Sequence, residues 1–396
     1  MTAKLMLPAL FAVPMLLQAQ PASTGLGIFE NHGDVGTVLH PGSVQYDREK
    51  ATYTVKGSGE NMWFGTDAFE FVWKRVSGDV DLTADIQFPE KGGNAHRKGV
   101  LMIRQTLDTD SPYADVALHG DGLTSLQFRE EKGGNTHEVQ ANLSAPKRVR
   151  IAKRGDNFFM WVLADGSDLQ FAAGSPPVVL KPPFYVGIGV CSHEKDAVET
   201  AVFSNVELGA PQPKEPTLYS TLEVVAIGSS DRRALYATAG RIELPAWSAD
   251  GQAITFNRGS RAEHVMLAGS ETQPAATPEG SKSPSSLIYL HSDRSGTMQI
   301  WRTRIDGSEP EQLTTGDTGS CYPQLSPDGQ SLSFLSFDKA AATCPVDQDV
   351  TLRVMSMADR KTKVVARFTG GRGTFGPSAW SPDSKRLTYV SYHVVR

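Results

Sequence analysis

The chain has 396 residues and a formal net charge of −5, with 39 Lys and Arg against 44 Asp and Glu mixed along its length. That length calls for two or more domains, each large enough to bury its own core. No segment carries a basic stripe, so nucleic acid is not an expected partner.

The first twenty residues read as an export signal. Lys4 gives the positive flank, Leu5–Leu17 forms an apolar core interrupted by Pro8 and Pro14, and Ala19 sits at the cleavage point. The apolar run is too short to span a bilayer comfortably, and Leu17 stands where a small residue is usual at such a site. No later segment is long and apolar enough to cross, so the expected mature product is periplasmic or secreted, without a transmembrane segment.

From residue 25 to 209, aromatic and β-branched runs follow one another at close intervals, separated by Gly, Asn, Asp and Pro. The expected strands are Gln45–Val55, Phe69–Val76, Val80–Phe88, Gly99–Gln105, Tyr113–Leu118, Thr124–Arg129, Arg148–Lys153, Phe158–Leu163, Tyr185–Ser192 and Thr200–Glu207. In Val80–Phe88 the alternation is clean: Val80, Leu82, Ala84, Ile86 and Phe88 face one way, and Asp81, Thr83, Asp85 and Gln87 the other. So many strands without a helical period predict a two-sheet β-sandwich. The region resembles the concanavalin-like jelly-roll modules related to laminin-G domains. The likeness is carried by Trp63-Phe-Gly65, Phe69-Glu-Phe-Val-Trp-Lys-Arg75, Gly78-Asp79 and the closing Phe203-Ser-Asn-Val-Glu-Leu208.

Ala210-Pro-Gln-Pro-Lys-Glu-Pro216 reads as a short extended spacer, which places a linker at 210–217. Beyond it, Pro245-Ala-Trp-Ser-Ala-Asp-Gly251, Pro323-Gln-Leu-Ser-Pro-Asp-Gly329 and Ser378-Ala-Trp-Ser-Pro-Asp-Ser384 repeat one turn, each followed by a β-rich run. Pro presets φ, Asp accepts turn amides and Gly takes positive φ cheaply, so each copy is a hairpin corner. Thr277-Pro-Glu-Gly280 is a degraded fourth copy. Recurrence at blade-like intervals marks a β-propeller. The region from about Leu218 to Arg396 is similar to the TolB family of periplasmic propellers. Leu287-Ile-Tyr-Leu-His-Ser-Asp-Arg-Ser-Gly-Thr-Met-Gln-Ile-Trp301, with Asp306-Gly307 and Gln312-Leu-Thr314, matches nearly one whole blade. A TolB propeller has six blades and this chain has landmarks for about four, so the ring over 218–396 is either closed or incomplete. The last copy ends one hairpin after its turn, and Thr221–Ile227 with Arg233–Thr238 are the strands that would complete its blade. The resemblance implies propeller faces that bind protein partners.

The expected fold class is therefore all-β: an N-terminal jelly-roll sandwich and a C-terminal TolB-type propeller. Cys321 and Cys344 lie in one blade repeat and either bridge across its turn or stay as two free thiols; Cys191, in a smooth apolar strand, reads as a small buried hydrophobe.

Catalytic signatures are sparse. No Glu-x-Asp-x-x-Glu places two carboxylates on one strand face for glycoside hydrolysis, and no Gly-x-Ser-x-Gly elbow exposes a serine nucleophile. Gly371-Arg-Gly-Thr-Phe-Gly376 has dinucleotide spacing but precedes Pro377 and another blade turn, so it reads as an inter-blade loop. No histidine pair has zinc spacing, and no cofactor is expected. Calcium is a weak option at Asp108-Thr-Asp110-Ser-Pro-Tyr-Ala-Asp115 and at His119-Gly-Asp121, where ordinary Asx turns explain the same residues. The best ligand candidates are Trp63, His96, Arg97, Arg104, Tyr113, His119 and Asp121, an aromatic and polar set suited to stacking on a sugar ring and bonding its hydroxyls. The expected function is a non-catalytic, exported binding protein for a protein or polysaccharide partner. The alternative is a carbohydrate-active hydrolase or lyase with a site on the sandwich.

Overall fold

A computed structural model describes residues 25–163, 168–212, 214–229, 231–267, 272–274, 287–337 and 343–396. The export signal and the Thr277–Gly280 turn lie outside the described residues. Every regular element among those described is a strand, so the all-β class stands.

The N-terminal half is a sandwich. One sheet runs Asn31–Val35, Phe69–Val76, Phe184–Cys191, Lys98–Arg104, Tyr113–His119, Thr124–Arg129 and His137–Gln140 in spatial order; the other is a seven-stranded sheet from Gln170–Gly174 across to Ser43–Asp47. The inward parity of Val80–Gln87 holds: Val80, Leu82, Ala84 and Ile86 join Leu101, Ile103, Val116 and Leu126 in the buried core. Their outward neighbours are paired, with Asp81 bound to Arg154 at 2.7 Å and Asp85 facing Arg148 at 3.7 Å. The run expected as one strand over Gln45–Val55 is two, Ser43–Asp47 and Thr52–Gly59, because Ala51 takes φ +50° in the turn between them.

The repeated corners are built alike. In each, the Ser hydroxyl donates to the Asp two residues on (Ser248 to Asp250 2.6 Å, Ser326 to Asp328 2.5 Å, Ser381 to Asp383 2.5 Å). The same Asp accepts an amide from the strand that follows, as Gln330 donates to Asp328 at 3.0 Å. Gly251 and Gly329 take φ near +70°, and Ser384 reproduces the geometry at +60° without a glycine. These bonds stabilise the charged carboxylates and lower the pKa of all three Asp, the Ser hydroxyl being the largest cause.

Blade-like sheets lie at Glu243–Pro274, Leu287–Gln312 and Gly319–Gly370, each with its strands in sequence order, and the first and last of them turn through such a corner. The last strand, Arg386–Val395, pairs along its length with Thr217–Ala226, which pairs in turn with Arg232–Ala239. The two ends of the C-terminal half thus share one sheet, through the strands the sequence pointed to. Neighbouring blades are tied by main-chain bonds such as Trp247 N to Ser378 O and Ser320 N to Met298 O. Gly371–Gly376 is an inter-blade loop, its Gly373 carbonyl accepting from Leu244 N. Cys321 and Cys344 are disulfide-bonded with Cα atoms 5.9 Å apart, and Cys191 is a buried free thiol.

The halves are not beads on a string. His137–Gln140 pairs in parallel with Arg232–Ala239, so the sandwich sheet continues into the terminal blade as one ten-stranded sheet. Beside this seam, Phe159, Trp161 and Phe171 of the sandwich pack on Tyr219 and Val395 of the blade, with Phe171 stacked on Tyr219 at 4.5 Å. Gly174 permits the contact, because a Cβ there would stand 2.6 Å from the His393 ring. No described helix is long and apolar enough to cross a membrane.

Candidate functional site

On Lys98–Arg104, Tyr113–His119 and Thr124–Arg129, one parity fills the sandwich core. The opposite parity puts Lys98, Arg104, Tyr113, Asp115, His119, Gln127 and Arg129 on the outer face. A small hairpin, Met62–Trp63 with Thr66–Asp67, folds over this face. Buried charge pins it. Arg129 grips the Asp67 carboxylate through two nitrogens, at 2.7 and 3.0 Å, and Arg104 adds a third contact at 3.2 Å. Arg129 also donates to Phe64 O at 2.9 Å, and the Tyr113 hydroxyl donates to Met62 O at 3.1 Å. The hairpin therefore projects Trp63 and Phe64 from a rigid base; Phe64 is 68% exposed and holds φ +50° at the tip.

Between hairpin and sheet lies a cavity of about 790 Å³. Trp63 and Phe64 form one wall; His96, His119 and His193 form another; Asn61, Lys98 and Gln127 lie deeper. Glu138 and Gln140 continue it toward Asp231, which belongs to the C-terminal half. Lys98 is 2% exposed, and its ammonium donates to Asn61 Oδ1 at 2.8 Å, Met62 O at 3.3 Å and Gln127 Oε1 at 3.3 Å. It also lies 5.3 Å from the Trp63 ring centroid. The ring of His96 is 5.4 Å from that of His193 and 6.1 Å from that of His119. Burial, helped by the nearby Lys98 charge, pushes the His119 pKa down to about 3 and lowers that of His193, so both imidazoles are neutral at pH 7. The Nδ1 atoms of both rings lack a hydrogen-bond partner.

Of the residues singled out in the sequence, Trp63, His96 and His119 meet in this cavity. Arg104 and Tyr113 lie beneath it, fully buried under the hairpin they hold. Arg97 is buried elsewhere, pairing with Glu199 at 2.9 Å and donating to Glu90 O at 3.1 Å. Asp121 closes a turn, accepting from Leu123 N at 2.9 Å. At the loop weighed for calcium, the Lys132 ammonium bridges Asp108 at 2.9 Å and Asp110 at 3.5 Å, while Asp115 is buried in the sheet. Among the described residues no three His, Cys, Asp or Glu side chains are arranged to hold a metal ion.

An uncharacterized protein of Agrobacterium fabrum is 30% identical over 202 residues, which cover 45% of this chain and 67% of that protein. This chain belongs to its family. A TolB homolog of Chlorobium luteolum is 29% identical over 108 residues, covering 27% of this chain but only 22% of the homolog. No protein-family model matches the chain. Among solved structures, a protein of Agrobacterium tumefaciens provisionally named TolB covers 76% of this chain and 99% of its own, with 18% identity and a TM-score of 0.28. A carbohydrate binding module from Bacillus subtilis covers 46% of this chain and 98% of its own, with 18% identity and a TM-score of 0.31.

Within this family member, sequence reasoning passed over Asn61, Phe64, Asp67, Lys98, Gln127 and His193. A signal for two of them was present. Lys98 and Gln127, like Arg129, lie on the outward parity of three consecutive strands, which also carries Arg104, Asp115 and His119 beside the apolar Val100, Met102 and Ala117. The hairpin residues had no such signal, because only the tertiary fold brings them over the sheet.

Proposed function

We propose that the chain is an exported, non-catalytic binding protein that holds part of a polysaccharide in the sandwich cavity, while the propeller-type half carries TolB-like faces for a protein partner. The observation that carries the reading is the pinned hairpin, which sets Trp63 and an exposed Phe64 against a wall of amides and neutral imidazoles. Sugar rings are bound in this manner, by aromatic faces on their C–H surfaces and fixed donors and acceptors on their hydroxyls. The cavity volume of about 790 Å³ falls within the range of ligand pockets, roughly 300–1,000 Å³.

The carboxylates around the cavity are engaged. Asp67 is held between two arginines, Glu138 accepts from the Gln140 amide at 2.7 Å, and Glu60 faces Lys195 at 3.1 Å. A carbohydrate-active enzyme is the second reading, favoured by the unpartnered His119 Nδ1 in the wall. A glycan array with the full-length protein, run beside a reducing-end release assay, separates the two. Binding without product release is the expected result. Turnover that disappears in His119→Ala would overturn the non-catalytic reading.

A further inference from the structure

The floor of the cavity buries more positive than negative charge. Lys98, Arg104 and Arg129 are each at most 2% exposed. Asp67 is the one carboxylate they contact, and it is spent on the two arginines. Among the described residues no carboxylate lies within ion-pair distance of Lys98, whose three donors all end on neutral oxygens. Asp115 is fully buried beside them, with both oxygens unbonded. Burial raises its pKa while the Lys98 charge opposes the shift, and even a charged Asp115 leaves three buried cations against two carboxylates. An unpaired buried ammonium is destabilising unless something compensates it.

Lys98 also sets the orientation of the amides around it. Because Asn61 Oδ1 and Gln127 Oε1 both accept from Lys98, their NH₂ groups turn away from the ammonium. The Gln127 amide then reaches His119 Nε2 at 3.4 Å and Glu138 Oε2 at 3.5 Å, and Asn61 borders the cavity. The deep end therefore offers donors, a positive field and three imidazoles. Glu60 and Asp231 stay at the exposed rim, while half-buried Glu138 is held by the amides of Gln127 and Gln140.

We infer that the ligand is an acidic saccharide whose carboxylate rests above Lys98, among the Asn61 amide and the rings of His96, His119 and His193. This rests on the saccharide reading above and adds the charge of the sugar to it. A carboxylate there supplies the missing counter-charge and meets donors already fixed in place, which is where binding selectivity arises.

The test is affinity electrophoresis of the full-length protein through gels containing alginate or polygalacturonate, the same polymers after reduction of their carboxyl groups to alcohols, and dextran sulfate. Retardation by at least one carboxylated polymer, weakened at least about tenfold by carboxyl reduction, is expected. Lys98→Met should abolish that difference. His193→Glu, at a half-exposed loop position, should weaken the acidic polymer and spare its reduced form, which keeps the test decisive should Lys98→Met fail to fold. Equal retardation by the acidic and reduced polymers would overturn the inference and leave saccharide binding standing. Retardation by dextran sulfate alone would replace a carboxylate site with a sulfate site. No retardation by any polymer would remove both readings.

Discussion

Asp34 and Glu70 stand directly opposite each other on the antiparallel pair formed by Asn31–Val35 and Phe69–Val76, with their side chains on one face. Glu70 is fully buried; His32 Nδ1 lies 2.7 Å from its Oε1, and its Oε2 has no partner. Asp34 is already occupied by Gly42 N at 3.0 Å. Burial first, and the Asp34 charge second, push the Glu70 pKa up to about 8 from 4.5. The folded state therefore favours the protonated acid. The stability this contributes is complete below about pH 4.5, falls as the pH rises, and is gone above about pH 8. A tenfold change in proton affinity is worth about 1.4 kcal/mol, so the full swing between those limits is on the order of 5 kcal/mol. Glu70→Gln keeps the shape, does not titrate, and can donate its amide to Asp34. Urea unfolding of the full chain at pH 5, 7 and 9 should find the variant no more stable than the natural chain at pH 5 and more stable by a few kcal/mol at pH 9. Asp34→Asn should give a smaller divergence, because burial, the larger cause, still acts on Glu70. Parallel pH profiles for natural chain and variants would refute the reasoning.

Asp67→Ala should lower stability by about 3–5 kcal/mol, because it leaves Arg104 and Arg129 buried without a counter-charge; thermal melting followed by circular dichroism measures it. Trp63→Ala should cut saccharide affinity about tenfold (on the order of 1–2 kcal/mol) with little change in melting temperature, as read by calorimetric titration alongside a melt. Reducing the Cys321–Cys344 bridge, or replacing both cysteines by Ser, should lower the stability of the C-terminal half by roughly 3 kcal/mol; a guanidinium titration with and without reductant reports the difference. Asp328→Ala removes the acceptor of both Ser326 Oγ and Gln330 N and should cost about 1–2 kcal/mol, a loss that Asp250→Ala should reproduce at its own corner.

What the sequence revealed, and what it concealed, divides along the range of the interactions involved. The corners at Ser248–Gly251, Ser326–Gly329 and Ser381–Ser384 are local: each is made by four residues whose bonds are mutual, so the pattern reads directly. Period-two alternation in Val80–Phe88 is local too, and it matches the strand's inward face. Period two likewise sets Arg104 on the outer face with Val100 and Met102. It could not tell that residues forty positions earlier fold back as a hairpin and seal it from water. Short strands such as Asn31–Val35, His137–Gln140 and Gln170–Gly174 went unread because they exist by virtue of neighbours already in place. The carboxylate that bonds Arg104 and Arg129, and the amides that bond Lys98, come from separate strands and loops, and no spacing in the sequence links them.

The parallel bridge between His137–Gln140 and Arg232–Ala239, backed by the aromatic seam around Phe171 and Tyr219, has a mechanical consequence. Pivoting one half against the other would tear backbone bonds and expose ring surfaces to water, so the two halves move as a single lever arm. Whatever docks on a blade face is consequently held at a set angle and reach from whatever occupies the hollow under Trp63. Cutting the chain at the Pro-rich spacer would leave a raw strand edge on each fragment, and such fragments should stick to one another rather than behave as independent units.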